Sequence, residues 1–336
     1  MPRPIDEFVA AWEALAGHHE DEGGWVGIPV TGVGDCKLMA ARRFPGNQEA
    51  LLAGFPAARL GSSEHLPEGR GFEVVRAEPR GDGRMWVALS RREAGSLELF
   101  AEMVSDVAGA MDSCSAEGEA AILRIMLRRV RMWQQFMSRG AGPLGPEAEL
   151  GLAGELHFLA ALLDAGVEPD SALKAWVGPE DAPQDFLLGE GAIEAKATMS
   201  SSGFPVKIGS LEQLDDGLAS PLFLAAVRFS GGDGGLTLPE MVGEVEHRLD
   251  GEPGAVDLLH ERLMMAGYSD IHAGQYSRRF EPRESRILSV LEGFPRMTTG
   301  TVPPGVTRAI YEINLDHAGG FVCDLGVALN KLGVTG

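Results

Sequence analysis

From Asp185 to Ala197 the chain reads DFLLGEGAIEAKA, two short apolar runs separated by Gly-Glu-Gly, and no other stretch limits the fold as tightly. If Gly189 and Glu190 form a two-residue loop, glycine takes the first central position, which suits a type II′ hairpin turn. Residues facing each other then have numbers that sum to 379, so Leu188 meets Gly191 and Asp185 meets Glu194. Period-two alternation sets Lys196 on the face of Glu194 and turns Ile193, Ala195 and Ala197 the other way, into apolar packing. Like charges directly opposite on a sheet are destabilising, and a divalent cation is the simplest relief. With oxygen donors and no His or Cys in the cluster, Mg²⁺ or Mn²⁺ is favoured over Zn²⁺.

A chain of 336 residues is long enough for two domains, since single cores stop growing near ~250–300 residues. No run of 18 apolar residues occurs and no basic stretch precedes an apolar one at the N-terminus, so neither a membrane span nor secretion is expected. Cys36, Cys114 and Cys323 lack the spacing of a disulfide framework or a zinc site, which fits a reducing cytoplasm. The net charge of −20, from 49 acids and 29 bases, argues against broad attraction to nucleic acid.

Along the chain, the pattern predicts a helix over 5–15, strands over 72–78 and 84–90 joined by a PRGDG turn, and a helix over 97–111. The stretch 119–139 is helical and the most basic, with Arg124, Arg128, Arg129, Arg131 and Arg139. Two readings stand open for it: a solvated face paired with acids, or a phosphate-contacting helix. GAGPLGP at residues 140–146 breaks the helix and marks a domain boundary, giving segments 1–142 and 143–336.

A further helix runs over 147–164 and ends at Gly166, with Leu152, Leu156, Leu159 and Leu163 as its stripe. Glu155 lies beside that stripe and not on the wet face, a position that requires an explanation for a carboxylate. A helix is expected near 210–218, a buried strand over 221–229, helices over 239–249 and 255–266, and strands over 286–291 and 309–315. His18, His19, Glu20 and Asp21 read as a polar loop in preference to a metal site, and His157, Trp133 and Trp176 as structural. No GxxxxGK[ST], GxSxG or HExxH pattern is present.

A strand aspartate followed by Glu-x-Lys on the next strand, here Asp185…Glu194-Ala195-Lys196, resembles the PD-(D/E)XK nuclease superfamily of restriction endonuclease-like proteins. The flanks LGLAGELHFL, ALKAWVGPEDAPQDF, IEAKAT and SLEQLDD resemble, more specifically, a bacterial family of PD-(D/E)XK motif proteins. One departure is that Gln184, not proline, precedes Asp185, with Pro183 one place earlier. The resemblance implies an α/β fold whose restriction endonuclease-like core, a mixed central sheet flanked by helices, carries an N-terminal α+β domain and a C-terminal α+β extension.

It also implies a site in which Asp185, Glu194 and the Ala195 carbonyl bind Mg²⁺ or Mn²⁺. Lys196 orients or activates the attacking water, Glu155 adds a helix-borne carboxylate, and Gln213 lines the site. The implied activity is metal-dependent cleavage of DNA in a prokaryotic restriction or phage-defence system, with a methyltransferase or an ATPase as operon partner. The alternative is a catalytically inactive nuclease-fold subunit for DNA binding or complex assembly, which the acidity of the chain makes credible.

Overall fold

The computed structural model describes residues 3–17, 23–61, 64–79, 82–138, 140, 142–180 and 182–334. The chain divides into two compact units, Met1–Ala141 and Gly142–Gly336.

The first unit starts with α1 (Ile5–Leu15), continues as β1 (Gly24–Val33), β2 (Cys36–Phe44), β3 (Gln48–Phe55), β4 (Phe72–Ala77) and β5 (Met85–Arg91), and ends with α2 (Leu97–Ser113) and α3 (Glu119–Ser138). The strands form one antiparallel sheet in the order β1-β2-β3-β5-β4. Its first three strands were not anticipated, because Gly27, Pro29 and Gly32 make β1 look irregular. β1 is an edge strand, where proline is tolerated because no second neighbour needs its missing N–H. The tip of the β4–β5 connection, at residues 80–81, lies outside the described residues, as does Arg139.

In α3 the arginines divide. Arg129 is buried and grips Asp106 of α2 through two 2.6 Å bonds, and the Trp133 indole donates to the same carboxylate at 2.7 Å. Arg124, Arg128 and Arg131 recur at helical spacing on the exposed side.

The second unit comprises α4 (Pro146–Asp164), α5 (Pro169–Ala175), β6 (Phe186–Leu188), β7 (Gly191–Thr198), β8 (Pro205–Ile208), β9 (Leu222–Ser230), α6 (Leu238–Arg248) and α7 (Pro253–Ala266). It closes with β10 (Glu281–Ser289), β11 (Tyr311–Asn314), β12 (Val322–Cys323) and α8 (Leu325–Lys331). The central sheet has the order β12-β10-β9-β7-β6 and is mixed: β7 and β9 run parallel, and the other pairs are antiparallel. A parallel pair needs a long crossover, and residues 199–221, including β8, supply it.

Both faces of this sheet are covered, which explains the unbroken apolar run of β9. Ile193, Ala195, Phe223 and Ala225 pack toward Leu152, Leu156 and Leu159 of α4. Ala192, Leu222, Leu224 and Ala226 pack on the other side with Phe204, Val206 and Leu214. α4 lies flush on β7: a Cβ at Gly154 would stand 2.7 Å from the Ala197 Cβ.

Two expectations require correction. Residues 210–218 form turns and no helix, because side chains capture the backbone locally: Ser210 Oγ accepts from Glu212 N–H and Asp215 Oδ1 from Gly217 N–H. The C-terminal segment is no appended extension either. β10 and β12 extend the central sheet, and β11 pairs with β8, so these residues complete the unit's core. Among the described residues no helix is long and apolar enough to cross a membrane.

Candidate metal centre

The β6–β7 hairpin has the register that its turn chemistry requires, with Phe186 facing Ile193, Leu187 facing Ala192 and Leu188 facing Gly191. Gly189 turns the chain at φ 57°, and a side chain there would collide with the Leu332 carbonyl. Asp185 lies one residue before the ladder and is held at both ends. Its carbonyl accepts from Val177 N–H at 2.8 Å and Gly178 N–H at 2.9 Å, and its Oδ2 accepts from Ala195 N–H at 2.8 Å. The carboxylate therefore bonds the β7 backbone directly beside Glu194.

Glu194 is fully buried on β7, and its Oε1 accepts from Lys196 Nζ at 2.5 Å. Its other oxygen, Oε2, is buried without a partner. From α4, Glu155 reaches the same neighbourhood half-buried, and its Oε2 accepts from the Trp176 indole at 2.6 Å. Gly178 separates two of the acids, for a Cβ on it would stand 2.7 Å from Asp185 Oδ1 and 3.2 Å from Glu155 Oε2. A glycine is thus needed where two carboxylates face one point.

Sequence reasoning missed three supports of this site. Trp176 is more than a core aromatic: it stacks on Phe186 and uses its N–H to fix Glu155. A buried indole needs an acceptor, and a carboxylate beside an apolar stripe needs a donor, so each was the other's signal. The Val177–Gly178 backbone gives no side-chain signal at all. Gln184, the residue that replaces the motif proline, is buried and donates to the Glu212 carbonyl at 2.8 Å, tying the 209–217 turn to the strand that carries Asp185. Gln213 is committed within that turn, where its side-chain oxygen accepts from Gly209 N–H at 2.7 Å.

The electrostatics follow from three acids gathered around one base. Burial, then repulsion from Asp185, pushes the Glu155 carboxyl up to about 8, against the Trp176 bond and Lys196. Burial also raises Asp185, opposed by Lys196 and the Ala195 N–H. Burial and Asp185 raise Glu194 well above the usual carboxylate range. For Lys196, burial works against the charge, but Glu194 and Asp185 outweigh it and hold the ammonium charged.

This donor set fits a hard divalent cation. It is all oxygen, its three carboxyls outnumber the one lysine, and Glu194 Oε2 is a buried carboxyl oxygen with no hydrogen-bond partner. Among the described residues no group of three or more acidic, imidazole or thiol side chains is arranged to hold a metal ion as it stands. Residues 18–21, the other candidate set, lie outside the described residues. His157 bonds Ser285 Oγ at 2.9 Å and packs edge-on against Phe229, away from the acids.

The family described as "Putative PD-(D/E)XK family member, (DUF4420)" matches residues 8–316. No curated protein and no solved structure matches the chain.

Proposed function

We propose that this chain, which belongs to that PD-(D/E)XK family over residues 8–316, is a metal-dependent endodeoxyribonuclease. The observation that carries the reading is the convergence of Asp185, Glu194 and Glu155 with one charged lysine, at a point where a buried carboxylate oxygen lacks a partner. Structural carboxylates are matched by at least as many bases, and this group sets three carboxyls against one lysine.

Asp185, Glu194, Glu155 and the Ala195 carbonyl would hold Mg²⁺ or Mn²⁺, which supplies Lewis-acid polarisation of a phosphodiester and a lower pKa for the attacking water. The chain's own residues do the rest. Trp176 and the Val177–Gly178 amides keep Glu155 and Asp185 aimed at one point. Lys196 keeps its charge and, by exchanging Glu194 for a phosphate oxygen or a water, stabilises negative charge where it develops. Gly178 leaves the gap between the acids open.

DNA is the proposed substrate and the cytoplasm the proposed location. A restriction or phage-defence role, with a methyltransferase or ATPase partner, extends the same reading. The test is cleavage of plasmid and linear DNA with Mg²⁺ or Mn²⁺. Asp185→Ala and Lys196→Ala are each expected to lower the rate by about 10²–10³-fold, and unchanged cleavage by both variants would sink the assignment.

One observation favours a second reading, a nuclease-fold subunit without catalysis. Residues 142–336 hold 29 acids and 13 bases, a poor surface for approaching DNA unaided. That reading predicts no cleavage with any divalent ion, no metal binding at the Asp185–Glu194 pair, and DNA or protein binding that survives Asp185→Ala.

A further inference from the structure

The Asp185 carbonyl rests on the amides of Val177 and Gly178, at 2.8 and 2.9 Å. Those amides open a single 3₁₀ turn, Gly178–Glu180, in which the Glu180 N–H donates to the Val177 carbonyl at 2.9 Å. The turn sits tight against the acids, since a Cβ on Gly178 would stand 2.7 Å from Asp185 Oδ1. At that separation a small shift of the turn either presses on the carboxylate or breaks the bonds to its carbonyl. A 3₁₀ turn this short has poor hydrogen-bond geometry of its own, so its position is set by what it is tied to.

α7 supplies that tie. The helix packs against the turn and against α5, and its Arg262, only 7% exposed, donates from Nη1 to Glu180 Oε1. The two partners lie 82 positions apart in sequence. A guanidinium is always charged, and burying it is costly unless an anion and hydrogen bonds answer it. Arg262 is short of such bonds, because among the described residues its Nε has no partner. It therefore gives up the Glu180 bond reluctantly. Glu180 has no matching need, since its side chain is 47% exposed and water can solvate it. The hold thus comes from the helix: the buried arginine fixes the half-exposed carboxylate and, through it, the turn.

We propose that Arg262 is a positioning residue of the metal centre: through Glu180 it fixes the Val177–Gly178 amides and thereby the Asp185 carboxylate. The inference rests on the metal-dependent reading above and deepens it, assigning part of the geometry of the centre to α7, a helix that contributes none of its acids.

Two variants of the full chain test it: Arg262→Lys, and the double variant combining Arg262→Met with Glu180→Ala. Each is followed by thermal unfolding, by amide hydrogen exchange without metal, and by calorimetric titration with Mn²⁺. The double variant leaves neither member of the pair without its partner, so its melting temperature should stay near that of the parent. Its Val177 and Gly178 amides should exchange about tenfold faster while those of Leu224 and Ala225 in β9 keep their rates, and its Mn²⁺ affinity should fall about tenfold. Arg262→Lys keeps the charge and should recover part of both losses. Unaltered exchange at Val177 and Gly178, or parental Mn²⁺ affinity, in the double variant overturns the inference. So does exchange that quickens equally in β9, the mark of a merely structural role. A parent chain that binds no Mn²⁺ overturns the metal reading instead, and the exchange rates still decide whether Arg262 holds Asp185 in place.

Discussion

The two units bury charge in opposite ways. In the first, Glu49 is buried between Arg42 at 2.9 Å and Arg91 at 2.6 Å, and Asp106 meets Arg129 at 2.6 Å. Burial works against the Glu49 carboxylate, but the Arg91 bond and Arg42 outweigh it and hold its pKa below the usual range. In the second unit, Glu155, Asp185 and Glu194 share one lysine, and all three carboxyls are raised. The contrast extends to composition: residues 1–141 hold 20 acids and 16 bases, and residues 142–336 hold 29 and 13. Buried carboxylates matched by bases serve the fold, whereas a buried cluster with excess carboxyls costs stability and persists where another charge completes it.

Removing one member from each cluster is the severest way to break the comparison. Glu49→Gln leaves the buried Arg42 and the half-buried Arg91 without their counter-charge and should destabilise the protein by about 3–5 kcal/mol in urea unfolding. If Glu49→Gln proves neutral, the first unit's charge is not structural in the sense argued.

A pH series on chelator-treated protein gives the next largest effect. With its folded pKa raised from 4.5 to about 8, Glu155 keeps a proton that the unfolded chain has released, so folding takes up a proton between those values. Stability should therefore be greatest below pH 4.5, as far as this group alone decides, and fall progressively as the pH rises to about 8. Glu155→Gln should flatten that decline and raise the melting temperature at pH 8, the opposite sign to Glu49→Gln. A decline unchanged in the variant would remove Glu155 from the cluster.

The smallest effect sharpens the difference in surface charge. Neutralising Arg124, Arg128 and Arg131 together should weaken DNA binding and reduce the slope of log affinity against log salt by up to about 3. An unaltered slope returns α3 to a structural role and moves the DNA contacts elsewhere.

Much of the second unit was legible in advance because its signals are local. The β6–β7 register follows from one turn, and the burial of Glu155 from helical spacing. Strands β1–β3 were not legible, since an edge position that tolerates Pro29 is a fact of the assembled sheet. The missing helix at 210–218 marks another limit. Leu211, Leu214 and Leu218 suit a helix, yet Ser210 and Asp215 bind the backbone of their own turns instead.

What the sequence determined by itself about the candidate metal centre is therefore the proximity of Asp185, Glu194 and Lys196, because pleat alternation and a glycine turn act within a dozen residues. Tertiary structure decided how those groups are held: Trp176 on Glu155, two amides on the Asp185 carbonyl, Gln184 on the turn below, and Glu194 Oε2 enclosed with no partner. These contacts join residues 7 to 28 positions apart and arise only when α4 lies flush on β7 and β9 inserts beside it. No periodicity along the chain encodes that docking, because packing between elements depends on side-chain fit across the interface and not on the spacing within either one.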